Sequence, residues 1–359
     1  MMKKDQQEFS SSRRNNFNLV RLMGALLVMF GHMGPIMGAV SPVMGEGLHG
    51  IGVEILFLVG GYLIAESWLH DPHPLRYSIR RFLRLWPPYA VMVLLMTFVA
   101  GPLLSDLGSK GYFGSWWKEF LKNLRFYIVY AQPGVFTDQP MPYVTNGSLW
   151  TMPVEAALYV VTPIILYLFG VQKKKKYAFP AYLVFLLVVI GIGTWVDNNT
   201  EVHWIFYATD WAAAFRLSVY FFIGIFCSFE PVKKCFHIQW SFLAWLCIIL
   251  VLYEARPVQY LVLSVALPYL VFSLALAPSP VFWCLGTKYE ISYGIYLYGF
   301  FFQQLVVYWQ KQNGLSLSVP VTLLVSMLLT LPVSWLSCVL VENPLKVLGR
   351  RLFSAMRSK

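Results

Sequence analysis

About ten apolar stretches, each long enough to cross a bilayer, run through this chain and leave an all-α integral membrane bundle as the fold open to it. They cover roughly residues 17–39, 51–69, 86–104, 151–169, 178–196, 211–229, 240–254, 259–277, 290–309 and 319–341. The composition agrees, with 58% hydrophobic and only 13% charged residues, a balance that does not suit a soluble domain.

Basic residues give the orientation. With the N-terminus in the cytoplasm, the inside segments hold Arg76, Arg80, Arg81 and Arg84, Lys173 to Lys176, Lys233, Lys234 and Lys288. The C-terminal end adds Lys346, Arg350, Arg351, Arg357 and Lys359, whereas the outside segments hold only Lys110, Lys118, Lys122, Arg125, Arg256 and Lys311. Every loop pair then obeys the positive-inside rule, and an odd number of spans breaks it. The expected organisation is one transmembrane domain over 1–359, with a core at 17–345. Basic cytoplasmic tails flank it at 1–15 and 346–359, and an extracytoplasmic loop covers 105–149. Residues 116–130 of that loop are rich in aromatics and read as an interfacial belt, or as an amphipathic helix offering a platform for a sugar. The net charge of +11 is scattered among spans and forms no extended face, so nucleic acid is not an expected partner. Lys3, Lys4, Arg13 and Arg14 precede the first run as in a signal peptide. That run is too long for an h-region and contains Arg21, so it is expected to remain as an anchor. Five cysteines at non-metal spacings are expected to be reduced thiols, and no metal centre is expected.

An ionisable residue inside a span is costly and marks function by default. The first run, NFNLVRLMGALLVMFGHMG from Asn16, carries Arg21 and His32. Eleven residues apart, they are about three turns plus 20° around the helix, on one face and roughly 16 Å apart. Arg80, Arg81 and Arg84 crowd the start of the third span, with Pro87 and Pro88 in its first turn, where missing N–H groups are tolerated. Guanidinium forks at a helix N-terminus suit phosphate; Arg76 reads as an ordinary loop cation. Toward the other side lie His32, Glu54, Glu155 with Tyr159 one turn deeper, and Arg216. A histidine beside a carboxylate is the arrangement a general base needs. The alternatives are a satisfied core histidine and structural ion pairs such as Glu54 or Glu155 with Arg216; Glu290 and Glu342 read as structural. A cationic end joined to a titratable end fits a ligand with phosphates at one terminus and a reactive group on a slender arm, the form of acyl-coenzyme A. Neither a G-x-x-x-x-G-K-[ST] phosphate loop nor a G-x-S-x-G nucleophile elbow is present in the sequence.

The order and placement of Arg21-x10-His32, GVEILFLVGGYLI from Gly52, RRFLRLWPPY from Arg80, SLWTMPVEAALY from Ser148, SYGIYLY from Ser292 and VENP from Val341 resemble the acyltransferase-3 family of integral-membrane acyltransferases. The resemblance implies about ten spans with both termini cytoplasmic. It makes His32 the catalytic histidine, Arg81 and Arg84 the pair serving the acyl donor, and Glu155 a functional glutamate. Two positions depart from the family pattern, which often has serine at Gly60 and histidine at Gly299. No fused hydrolase-like domain is expected.

The resulting expectation is an inner-membrane O-acyltransferase. Cytoplasmic acyl-CoA, with acetyl-CoA the leading case, docks on Arg81, Arg84, Arg80 and Arg21. His32, oriented by Glu155 or Glu54, deprotonates a hydroxyl of a surface or lipid-linked glycan entering from the outer side; a covalent acyl-histidine relay is the variant. A transporter or flippase of a glycan precursor and an acyltransferase for a non-glycan hydroxyl are the alternatives. The sequence specifies no oligomeric state.

Overall fold

The computed structural model describes residues 15–38, 47–199, 201–251, 256–277 and 289–357. Residues 1–14 of the expected N-terminal tail, Cys284, Lys288 and Lys359 lie outside them.

Each apolar stretch contains a helix. In chain order these are α1 (Phe17–Ile36), α2 (Gly47–His70), α3 (Pro74–Leu95), α4 (Thr151–Leu168), α5 (Ala178–Asn198), α6 (Trp211–Cys227), α7 (Ser241–Leu250), α8 (Arg256–Ala275), α9 (Ser292–Gln312) and α10 (Val319–Ser337). A π-turn, Met96–Ala100, extends α3 to Leu104, and another, Cys338–Glu342, leads from α10 into α11 (Asn343–Arg357). Among the described residues seven helical runs are long and apolar enough to cross a membrane: α1, α2, α3 with its extension, α4 with the turn before it, α5, α8 and α10 with its continuation. The α6 and α7 segments are shorter. The α9 helix contains glutamines that are buried and bonded: Gln303 donates to the Met29 carbonyl at 2.7 Å, and Gln304 to the Met141 and Val144 carbonyls. Among the described residues the strands are one short antiparallel pair, Ile205–Phe206 with Thr209–Asp210.

Small residues decide the packing, as they do where lipid removes the hydrophobic drive between helices. A Cβ on Gly31 would sit 2.1 Å from the His49 backbone nitrogen, and one on Gly52 would sit 2.6 Å from the Gly24 carbonyl, so α1 and α2 touch backbone to backbone. On its other side α2 meets α6 in the same way, Gly61 against the Phe221 carbonyl and Gly224 against the Leu58 carbonyl. The α2 helix is therefore the central post, and its rotation sets what faces the interior.

Three expectations change. The third helix begins at Pro74, with the His73 ring capping the Arg76 amide, so Pro87 and Pro88 lie inside it. The preceding RRFLRLW stretch is too basic to read as helix interior in isolation. Its arginines are held by partners on other elements, which lets the helix start earlier. Arg80, Arg81 and Arg84 are thus beyond the first turn, where the helix dipole has faded. Second, the expected tail from 346 is helical to Arg357 and packs on α3 through Gly349 and Leu83. Third, the 105–149 segment dips into the protein before α4: Thr145, Asn146, Ser148 and Leu149 are buried, and Asn146 donates to the Leu297 carbonyl at 2.8 Å. Irregular backbone of this kind is tolerated at depth when protein surrounds it. Residues 117–125 form a 3-10 helix with Phe120 and Asn123 turned inward.

Candidate functional site

At one end of the bundle a group of arginines converges from α1 and α3. Arg21 and Arg84 both bind the buried carboxylate of Glu290, at 2.9 and 3.0 Å, and Ser292 donates to the same group. Arg81 donates to the Ser67 hydroxyl at 3.0 Å, and its guanidinium lies over the rings of Tyr77 and Tyr159. It has no carboxylate partner among the described residues. Arg80 is different: with Arg76 it clamps Asp71 in the turn between α2 and α3, at 2.7 and 2.6 Å. Hydrogen bonds from Arg76, and then from Arg80, outweigh burial and hold the Asp71 carboxyl well below the usual carboxylate range. Of the four arginines expected to face a phosphate, Arg80 is therefore engaged by the turn, and Arg81 is the one with a fork to offer.

Arg21, Arg81 and Arg84 line a cavity of about 300 Å³ together with Glu155, Tyr159 and Tyr293. Along α2 its wall runs from Ile64 to Val53. Eleven residues of helix make that wall roughly 16 Å long. It stops one turn short of His49, and His49 stacks on His32 with ring centroids 4.8 Å apart and planes at 26°. Phe300 closes the other side of the His32 ring, edge-on at 5.1 Å. The Nδ1 of His32 is buried and has no hydrogen-bond partner among the described residues. His32 itself is not part of the cavity wall.

The structure brings neither expected carboxylate to His32. Glu155 accepts from Tyr159 and lines the cavity with the arginines, away from His32. The buried turn at 145–150 leads into α4, whose first turns carry Glu155 to the arginine-lined cavity. Glu54 shares α2 with His49, but five residues of helix turn it about 140° away. It faces α6, where Arg216 and Tyr220 are its electrostatic neighbours and Arg216 binds Asp197 at 2.8 Å. Neither glutamate contacts His32 among the described residues. Sequence reasoning missed His49, which sits in an unremarkable GLHG at the start of a span. Glu290, read from the sequence as structural, is the carboxylate that balances Arg21 and Arg84.

The two departures from the family pattern are also explained. Position 60 faces the cavity, and a Cβ there would meet Phe221 at an ordinary 3.7 Å, so glycine or serine fits. A Cβ at 299 would lie 2.8 Å from Met29 Cγ and 3.0 Å from its sulfur, so here methionine fills the space a second histidine needs.

The chain belongs to the acyltransferase-3 family, whose model, an acyltransferase domain, matches residues 14–339. It is a multi-pass membrane protein of that family. An O-acetyl transferase of Shigella phage Sf6 is 25% identical over 92% of this chain and 96% of its own length. Nodulation protein 10 of Rhizobium leguminosarum bv. viciae is 28% identical over 53% of this chain and 52% of that protein. Peptidoglycan O-acetyltransferase OatA of Listeria monocytogenes serovar 1/2a is 26% identical over 69% of this chain, which spans 44% of that protein. No solved structure matches the chain.

Proposed function

We propose that this member of the acyltransferase-3 family is an O-acyltransferase of the inner, or plasma, membrane. It moves an acyl group, acetyl as the leading case, from cytoplasmic acyl-CoA to a hydroxyl of a surface or lipid-linked glycan on the other side. The observation that carries the reading is the cavity: cationic at one end, about as long as a pantetheine arm, and ending one turn from the histidine pair. Donor phosphates engage Arg81 first. Arg84 and Arg21 contribute as far as Glu290 releases them. The names of the phage O-acetyl transferase and of the peptidoglycan O-acetyltransferase support an O-acetyl reaction and a glycan acceptor. Ten spans with cytoplasmic termini fit the basic-residue asymmetry.

In this reading His32 takes the proton from the acceptor hydroxyl as the oxygen attacks the thioester carbonyl. The C–S bond breaks, the ester forms, and the coenzyme A thiolate takes the proton from the imidazolium. His49 fixes the ring by stacking, in the role the sequence reading gave to a glutamate. Glu155, bound by Tyr159, tunes the arginine-lined cavity.

A thiol-release assay with acetyl-CoA and purified protein tests the enzyme against a flippase. His32→Ala should keep coenzyme A binding and lose transfer by about 10²–10⁴-fold, and His32→Gln should fail equally because an amide cannot accept the proton. A His32→Gln variant with near-parental turnover per folded molecule removes His32 from the mechanism. Glycan analysis of a deletion strain identifies the acceptor.

A further inference from the structure

A second cavity, of about 380 Å³, lies between α3 and α11. Four cations line it, Arg80, Arg84, Lys346 and Arg350, against a single acid, Glu342. Arg80 and Arg84 are committed elsewhere, to Asp71 and Glu290. Lys346 is 3.9 Å from Glu342 at the limit of an ion pair, and Arg350 has no carboxylate partner among the described residues; its Nε is 3.4 Å from the Lys346 carbonyl. The gap persists because residue 349 is glycine: a Cβ there would already lie 3.3 Å from Leu83 and 3.4 Å from Phe353. Arg84 lines this cavity and the inner one alike.

We propose that this cavity binds a phosphomonoester, the 3′-phosphate on the nucleotide end of the acyl-CoA donor, through Lys346 and Arg350. The inference rests on the donor reading above. A donor whose diphosphate meets Arg84 and Arg81, with its arm in the inner cavity, reaches this second cavity when its nucleotide lies across Arg84, which lines both. A dianionic phosphate matches one guanidinium fork and one ammonium better than the singly charged diphosphate oxygens do. Phosphatidic acid presents the same phosphomonoester as a lipid headgroup, so the test separates the two.

Full-length protein in phosphatidylcholine nanodiscs is titrated with coenzyme A and with 3′-dephospho-coenzyme A. The parent should bind coenzyme A about tenfold or more tightly. Lys346→Ala with Arg350→Ala should bring that ratio close to one, while Arg81→Ala should weaken both ligands and keep the ratio. Equal parental affinities, or a ratio that survives the double variant, overturn the proposal and leave the donor reading intact. Binding of neither ligand sinks the donor reading and this inference with it. Retention of added phosphatidic acid that depends on Lys346 and Arg350, with no ratio between the nucleotides, assigns the cavity to lipid and also overturns it.

Discussion

Gly31→Ala is the sharpest test of the histidine pair, because it acts on neither ring directly. The new Cβ would lie 2.1 Å from the His49 backbone nitrogen and 2.8 Å from its Cα. Backbone cannot swing aside as a side chain can, so α1 and α2 must part by about 1.3 Å to reach ordinary contact. Overpacking of this kind costs about 1–3 kcal/mol, which leaves a folded but less stable protein. The larger effect is on geometry, since the separation lifts the His49 ring off His32. Misplacement of a catalytic group by about 1 Å can cost ~10²-fold in rate. Gly50→Ala is the matched control: it neighbours His49, yet nothing lies within 4 Å of its added Cβ. Replacing a helix-interior glycine there should stabilise by up to about 1 kcal/mol and leave turnover alone. Thermal unfolding and thiol release per folded molecule, measured for both variants, give the answer. Parental turnover in Gly31→Ala would refute the claim that His49, held by the close helix contact, sets the His32 ring.

The remaining expectations concern topology and the arginines. Reporter fusions after Lys175 and after Lys122 should report opposite compartments, and matching signals would sink the ten-span arrangement. Arg81→Ala should weaken coenzyme A binding by about 1.5–3 kcal/mol, with Arg81→Lys restoring charge but not the fork. Arg84→Ala should weaken binding less and stability more, because it strips one of the partners of Glu290, while Arg80→Ala should scarcely touch binding. Isothermal titration decides the order, and alanine variants at 81 and 84 that fold and bind as the parent does would remove the phosphate site.

The helices of the bundle were legible in the sequence. Each depends on runs of apolar residues and on the fixed 100° step of one helix, which are local properties. The start of α3 was not legible, because seven residues after Pro74 bring Arg80 and Arg81, and hydropathy counts them as loop. Only the partners Asp71 and Ser67, brought in by the tertiary fold, let those charges sit on a helix. Likewise the sequence put the fourth span at 151–169, where α4 runs, and placed Glu54, Glu155 and His32 at similar depth, but could not say which way α2 turns or what Glu155 faces. Backbone contact at Gly31 and Gly52 fixed the first, bringing His49 rather than Glu54 to His32. The buried turn around Asn146 fixed the second, moving Glu155 in among the arginines. Which ionisable groups meet across helices depends on rotation and depth, and these are set by packing between segments far apart in the chain, where no local pattern records them.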